Sequence, residues 1–304
     1  MYTTILYYLY THIAEPEACK KEQVALCKSL NLLGRIILAE EGINGTLSGK
    51  TEDISVYMNT METNSIFKGI DFKKAETENM PFPRLSIKVR KEIVSLQLDK
   101  DIDMTKPLAK KGTYIEPSKF HEILQNDEDC TIVDMRNDYE TAIGKFKNSV
   151  TLDMSNFRDL PKVINKLESK KNARVITVCT GGVRCEKATA YLIEAGFTNV
   201  SQLHGGIIEY CNAFPDGTFE GKCYVFDNRI AIEVNDGEYK SVIATCRYCH
   251  MATDRYVNCA NKECNLQFIC CESCRNEHKG FCKEDCHIYY QQKLCSEEHM
   301  KSAA

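Results

Sequence analysis

Val175-Ile176-Thr177-Val178-Cys179-Thr180-Gly181-Gly182-Val183-Arg184-Cys185 is the stretch that decides the fold. A short apolar run ends in a cysteine and a Gly-Gly pair, and a helix is expected from about Arg184. In that arrangement the backbone N–H groups of Thr180, Gly181, Gly182 and Val183, with the helix N-terminus, point at the Cys179 sulfur. Arg184 adds a positive charge, and both effects favour the thiolate, the nucleophilic form. Glycines let the backbone wrap closely around the anion. A buried strand-end cysteine, packed as free cysteines commonly are, also fits this stretch taken alone. Cys185 has two readings: a second thiol able to resolve a persulfide or form a disulfide, or a helix residue packed on the sheet.

Outward from this loop, strands alternate with helices. Thr131–Asp134 and Val175–Cys179 suit buried parallel strands, with helices expected at Pro117–Leu124, Phe157–Leu167 and Cys185–Glu194. Ile132-Val133-Asp134-Met135-Arg136-Asn137-Asp138-Tyr139-Glu140, Gly144-Lys145-Phe146, the Cys179 loop, Ala195-Gly196-Phe197-Thr198-Asn199-Val200 and Leu203-His204-Gly205-Gly206 together resemble a rhodanese domain. The resemblance implies that Cys179 carries sulfane sulfur as a persulfide. Lys145 stands where that family has histidine, so no role follows for that position. Asp134 and Arg136 match the family's motif and read equally as a structural strand-end pair.

Before the loop, strands are expected at Tyr2–Tyr10, Arg35–Ala39, Gly42–Leu47, Phe67–Lys73 and Leu85–Val89, with helices at Glu17–Leu30 and Thr51–Met61, the latter capped by Thr51. The order is β-α-β-β-α-β, the split pattern of ferredoxin-like (acylphosphatase-like) domains. Gly49-Lys50-Thr51 imitates the end of a phosphate-binding loop, but Asn44 stands where that pattern needs glycine. No nucleotide cofactor motif is present.

Seventeen cysteines are present, ten of them between Cys246 and Cys295. No secretory signal is visible in the first residues, so metal binding outranks a disulfide framework and the expected compartment is the reducing cytoplasm. Cys246-x2-Cys249, Cys259-x4-Cys264, Cys271-x2-Cys274 and Cys282-x3-Cys286 supply eight thiolates, enough for two structural zinc ions. Alternate pairs sharing a metal in a cross-brace is favoured over sequential pairing. Cys270 and Cys295 are left over, and His250, His278 and His287 are possible substitutes.

The expected boundaries are 1–98 for the ferredoxin-like domain, 99–113 for a linker, 114–222 for the rhodanese domain and 223–304 for a cysteine-rich zinc module. Net charge is −4 overall, zero over 1–110 and −2 over each of 111–225 and 226–304, so charge alone makes no case for nucleic acid. No run approaches the roughly 20 apolar residues of a membrane span, which argues against a membrane partner. The sequence leaves the oligomeric state open.

The whole arrangement nevertheless resembles one family. Ala39-Glu40-Glu41-Gly42-Ile43-Asn44-Gly45-Thr46, Cys179-Thr180-Gly181-Gly182-Val183-Arg184-Cys185-Glu186-Lys187-Ala188, Val225-Phe226-Asp227 and the trailing cysteines are similar to the bacterial tRNA uridine(34) hydroxylases with a rhodanese domain. The resemblance implies 5-hydroxylation of the wobble uridine with molecular oxygen as co-substrate, tRNA as partner and Cys179 as the catalytic cysteine. The alternatives are a sulfurtransferase and a non-catalytic zinc-scaffolded protein. Gly42 and Gly45 shape a hairpin, or Glu41 and Asn44 face substrate across the Cys179 loop; both readings stand. Members of that family often carry a basic tail after the cysteines; the residues here are His299-Met300-Lys301-Ser302-Ala303-Ala304, so tRNA binding is expected to rely more on the other domains.

Overall fold

The computed structural model describes residues 1–98, 104, 111–126, 129–237 and 240–302, with side chains described as far as Lys293. Most of the expected 99–113 linker lies outside the described residues; Thr113 already belongs to a strand.

β1 (Tyr2–Tyr10), α1 (Pro16–Ser29), β2 (Leu33–Ala39), β3 (Gly42–Lys50), α2 (Thr51–Thr63), β4 (Asp71–Thr77) and β5 (Leu85–Val89) form the first unit. Its sheet runs β4-β1-β3-β2-β5, antiparallel except where β5 joins β2. Side chains alternate across the sheet. Ile5, Tyr7, Ile36, Leu38, Ile43 and Leu47 point into a core with Cys27, Ile54, Tyr57 and Met61 of the two helices. The opposite face carries two cross-strand rows, Leu6–Thr46–Arg35 and Tyr8–Asn44–Ile37.

Two local expectations change. The fourth strand begins at Asp71 rather than Phe67, because Phe67 and Ile70 are tied in turns after α2 and bury their side chains there. Thr51 is the first helical residue, not the cap; its hydroxyl instead meets that of Thr3 at 3.0 Å. Gly42 does shape the hairpin: φ is +144° and a Cβ would fall 2.1 Å from the Leu9 carbonyl oxygen.

The second unit holds β6 (Thr113–Ile115), α3 (Pro117–Gln125), β7 (Thr131–Asp134), α4 (Asp138–Thr141), β8 (Gly144–Phe146), β9 (Val150–Thr151), α5 (Leu160–Val163), β10 (Arg174–Val178), α6 (Val183–Glu194), β11 (Asn199–Leu203) and α7 (Gly206–Ala213). The parallel sheet β6-β11-β10-β7-β9 places β10 at its centre. Val175 and Cys179 pack with Ala188 and Leu192 on one face, while Ile176 and Val178 pack with Phe120, Ile207 and Tyr210 on the other. A sheet covered on both sides explains the continuous apolar run of β10. The helix expected over Phe157–Leu167 is broken into a 3-10 turn, α5 and a second 3-10 segment, with Pro161 at the start of α5.

Beyond Ala213 come β12 (Phe219–Gly221), β13 (Cys223–Tyr224), β14 (Ala231–Ile232), β15 (Tyr256–Asn258), β16 (Gln267–Ile269), α8 (Glu272–Glu277) and α9 (Glu284–Ser302). Periodicity does not mark α9, because its sequence has almost no apolar stripe to signal a helix. No helix among the described residues is long and apolar enough to cross a membrane.

Candidate active site

Cys179 closes β10 and is fully buried. Gly182, at φ +101°, turns the chain so that its N–H donates to the Cys179 sulfur at 3.2 Å. Burial pushes the thiol pKa up. A hydrogen bond from Cys185, the charge of Arg184 and the N–H groups of Cys185 and Arg184 outweigh it and bring the pKa down to about 6. Cys185 moves the other way, raised by burial and by its bond to Cys179. The shifts run in opposite directions, so the pair favours Cys179 as the thiolate and Cys185 as the thiol that donates to it.

Arg184 does not reach the loop as a free cation. Its guanidinium forks onto Glu140 at 2.5 and 2.9 Å and donates to the Thr180 hydroxyl at 3.2 Å. Glu140 also accepts the Asn137 N–H at 3.1 Å, completing a capping box at the start of α4. That Asn-x-x-Glu spacing marks Glu140 within the Ile132–Glu140 run, although its partner Arg184 is not visible there. Asp134 and Arg136 form a separate buried pair, with Arg136 Nη2 donating to Asp134 at 2.7 Å and to the Gly144 carbonyl at 2.6 Å. Their contacts run along the strand end, in keeping with a structural pair.

The first unit's open sheet face lies over the loop. A Cβ on Gly181 would fall 2.6 Å from Leu6 Cδ2, and one on Gly182 would fall 2.8 Å from the Tyr8 hydroxyl. The Gly-Gly pair thus makes room for β1 as well as for the anion. Tyr8 donates to Glu186 at 3.2 Å and Tyr10 to the Val183 carbonyl at 3.2 Å. Lys187, almost completely buried, sits 2.8 Å from both Glu41 and Glu92. Asn44 donates to the Ile93 carbonyl at 3.1 Å, and the Ile93 N–H donates to Glu41 at 2.7 Å.

Between sheet and loop runs a cleft of about 2130 Å³. Ordinary small-molecule sites occupy about 300–1,000 Å³, so the space suits part of a polymer. Thr180, Gly181, Val183 and Arg184 form one wall, and Leu6, Tyr8, Arg35, Glu41, Asn44 and Thr46 the other. Glu41 and Asn44 line the cleft opposite the Cys179 loop, with their side chains tied to Ile93 and Lys187. Glu92 carries no sequence signal, and Lys187 shows only as part of the Cys179–Ala188 run, because the partners of both come from distant segments.

The C-terminal cysteines gather into two groups: Cys246, Cys249, Cys271 and Cys274, and Cys259, Cys264, Cys282 and Cys286. This is the cross-brace, with alternate pairs converging. Cys249 and Cys271 sulfurs lie 3.7 Å apart, Cys259 and Cys286 3.5 Å, and Cys264 and Cys282 3.7 Å. A disulfide needs about 2.05 Å. Zinc–sulfur bonds of about 2.3 Å in a tetrahedron imply sulfur pairs about 3.8 Å apart, so each group fits a metal ion. Cys270 stays outside both. His278 stacks on Tyr248 and His287 on Phe281, and neither joins a group.

Three family descriptions match the chain: a UPF0176 acylphosphatase-like domain over residues 2–93, a rhodanese-like domain over 116–213 and a rhodanese C-terminal segment over 220–287. A protein of Cytophaga hutchinsonii, named tRNA uridine(34) hydroxylase, is 44% identical over 96% of this chain and 92% of its own. Proteins of the same name from Enterococcus faecalis and Bacillus licheniformis are 44% and 42% identical, covering 94% and 98% of this chain and 90% and 92% of theirs.

Proposed function

We infer the function from the premise that the chain belongs to the tRNA uridine(34) hydroxylase family: it is an enzyme that hydroxylates the wobble uridine of tRNA. Near full-length identity with relatives of that name carries this reading, and the cleft under the Cys179 loop gives it a place to happen.

We propose in addition that oxygen is inserted at C5 of the base with molecular oxygen as co-substrate: one oxygen atom enters the C5–H bond and the other leaves as water, with two electrons and two protons drawn from an external reductant. Cys179 is the reacting thiol and carries sulfur as a persulfide; the Arg184 guanidinium and the N–H groups of Gly182, Arg184 and Cys185 support its negative charge, in place of the wider Thr180–Val183 set expected from the sequence. Cys185 lies in contact as its proton donor and second thiol. The paired carboxylates Glu41 and Glu92 on Lys187 keep the sheet pressed over the loop, so that an unpaired base enters a preformed slot. Zinc fits the two four-cysteine groups, where filled coordination makes it a scaffold with no open position for water. Thiol-dependent chemistry and a tRNA substrate both support a reducing, cytoplasmic location.

The deciding experiment is nucleoside mass spectrometry. Wild type and Cys179→Ser are incubated with unmodified tRNA under heavy-isotope oxygen gas. Heavy oxygen in uridine with wild type alone is the expected result. Sulfur in place of oxygen would instead make the chain a tRNA-thiolating sulfurtransferase.

A further inference from the structure

Phe226 is held in the open by a rigid turn. The Val225 N–H donates to the Ile230 carbonyl at 2.8 Å, and the Asn228 N–H donates to the Pro81 carbonyl of the first unit at 3.0 Å. Between them Asp227 accepts a guanidinium fork from Arg229 at 2.9 and 2.5 Å. With both flanks hydrogen-bonded, Phe226 is still 42% exposed as a residue and lines the cleft. It meets Tyr224 edge to face, ring centres 5.2 Å apart at 71°, and Tyr224 is braced by Tyr139 at 5.2 Å and Tyr256 at 5.5 Å. An aromatic ring so exposed on so ordered a base loses the free energy of burial unless a ligand covers it.

The charge in the cleft says what kind of contact must hold that ligand. Exposed Arg35, Arg90, Lys91 and Arg158 are nearly balanced by exposed Glu15, Glu17 and Glu40. Phosphate attraction in so balanced a cleft is weak, and base contacts have to supply much of the hold. Stacking on an aromatic face is how proteins grip unpaired bases.

We propose that Phe226 is the stacking platform for the uracil of nucleotide 34, positioning it in the cleft; this rests on the hydroxylase reading above. Phe226 touches the base and takes no part in bond making.

The test uses the full chain and an anticodon stem-loop RNA with an emissive thieno-fused uridine analogue at position 34, whose blocked C5 allows equilibrium binding. Wild type and Phe226→Trp quench the emission on binding. Phe226→Leu, which keeps apolar bulk and removes the π face, loses the quench and binds about tenfold more weakly, the size of one base–aromatic stack. On intact tRNA the same variant raises KM about tenfold with little change in kcat. Circular dichroism and thermal midpoint equal to wild type establish that the Leu variant is folded. If wild type converts uridine 34 while Phe226→Leu binds and quenches like wild type, the stacking role is overturned and the hydroxylase reading stands. If wild type converts no uridine 34, the hydroxylase reading fails and takes this one with it.

Discussion

Arg184 holds Glu140 through two parallel bonds, 2.5 and 2.9 Å long, with both side chains buried. Parallel forks of this kind fix orientation as well as charge. Because the carboxylate takes much of the guanidinium's field, Cys179 receives only the remainder. Glu140→Gln is therefore expected to lower the Cys179 pKa further while destabilising the fold by about 3 kcal/mol, the usual cost of breaking a buried pair. Arg184→Gln moves the Cys179 pKa the other way, upward by about one unit or more. Thiolate ultraviolet absorbance, referenced to Cys179→Ser, measures both, and denaturant unfolding measures the stability. A midpoint unmoved in either variant refutes the electrostatic link.

The pKa of Cys179 has a consequence for pH. Burial raises it, and the Cys185 bond, Arg184 and the two N–H donors bring it below the ordinary thiol value, to about 6. The folded state thus binds fewer protons than the unfolded state between about pH 6 and pH 9. The stabilisation is fully present above the unfolded thiol pKa and is lost as pH falls through about 6. Wild type is expected to gain stability relative to Cys179→Ser as pH rises across that window, and hydroxylation is expected to climb through pH 6 to a plateau. Paired unfolding curves across the range check the first point; a difference that shrinks with rising pH contradicts it.

Lys187 faces Glu41 and Glu92 at 2.8 Å from each, with its side chain 4% exposed. Burial already raises the Glu41 pKa against the pull of Lys187. Lys187→Met removes the cation that both carboxylates face and leaves them crowded against α6. The expected loss is about 3 kcal/mol, together with at least a tenfold fall in hydroxylation as the sheet lifts from the loop. Adding Glu92→Gln restores part of the stability, because one carboxylate no longer needs a cation. A thermal midpoint for Lys187→Met equal to wild type would show that the clamp is dispensable.

What the sequence made legible was local. The Cys179 loop is a single run of residues, so its strand, glycines and helix start follow from neighbours in the chain. The cysteine pairs are likewise short repeats, and only their exchange between two groups depends on the third dimension. Contacts across long separations stayed hidden. Glu41 and Lys187 are 146 positions apart and Glu92 and Lys187 95, and Tyr8 meets Glu186 from the far end of the chain. Neither composition nor period marks such partners, because each alone reads as an ordinary charged or aromatic residue. Phe226 was visible as part of Val225-Phe226-Asp227, yet its exposure depends on the Asn228–Pro81 bond between units. The broken helix at Phe157–Leu167 shows the converse, a helical apolar spacing overridden by Pro161 and short turns.

The two four-cysteine groups predict a metal content and a route by which it reaches the site. Mass spectrometry of the native protein is expected to find two zinc ions per chain, one for each group. Cys249→Ser and Cys264→Ser each remove one. The first group contains Cys271, two residues past the end of β16, so its metal fixes the β15–β16 hairpin. From that hairpin Tyr256 donates to the Tyr139 carbonyl, and Gln267 accepts from Tyr224 at 2.9 Å. Tyr139 adjoins Glu140, which holds Arg184 beside Cys179. Loss of the first metal is therefore expected to loosen α4: hydrogen–deuterium exchange over 138–141 rises in Cys249→Ser, with a matching shift of the Cys179 titration toward the ordinary thiol range. Cys264→Ser, whose group takes Cys259 and Cys264 from the turn between β15 and β16, is expected to raise exchange over 138–141 as well. Exchange over 138–141 equal to wild type in both variants would break this route and leave the metals as local staples of their own module.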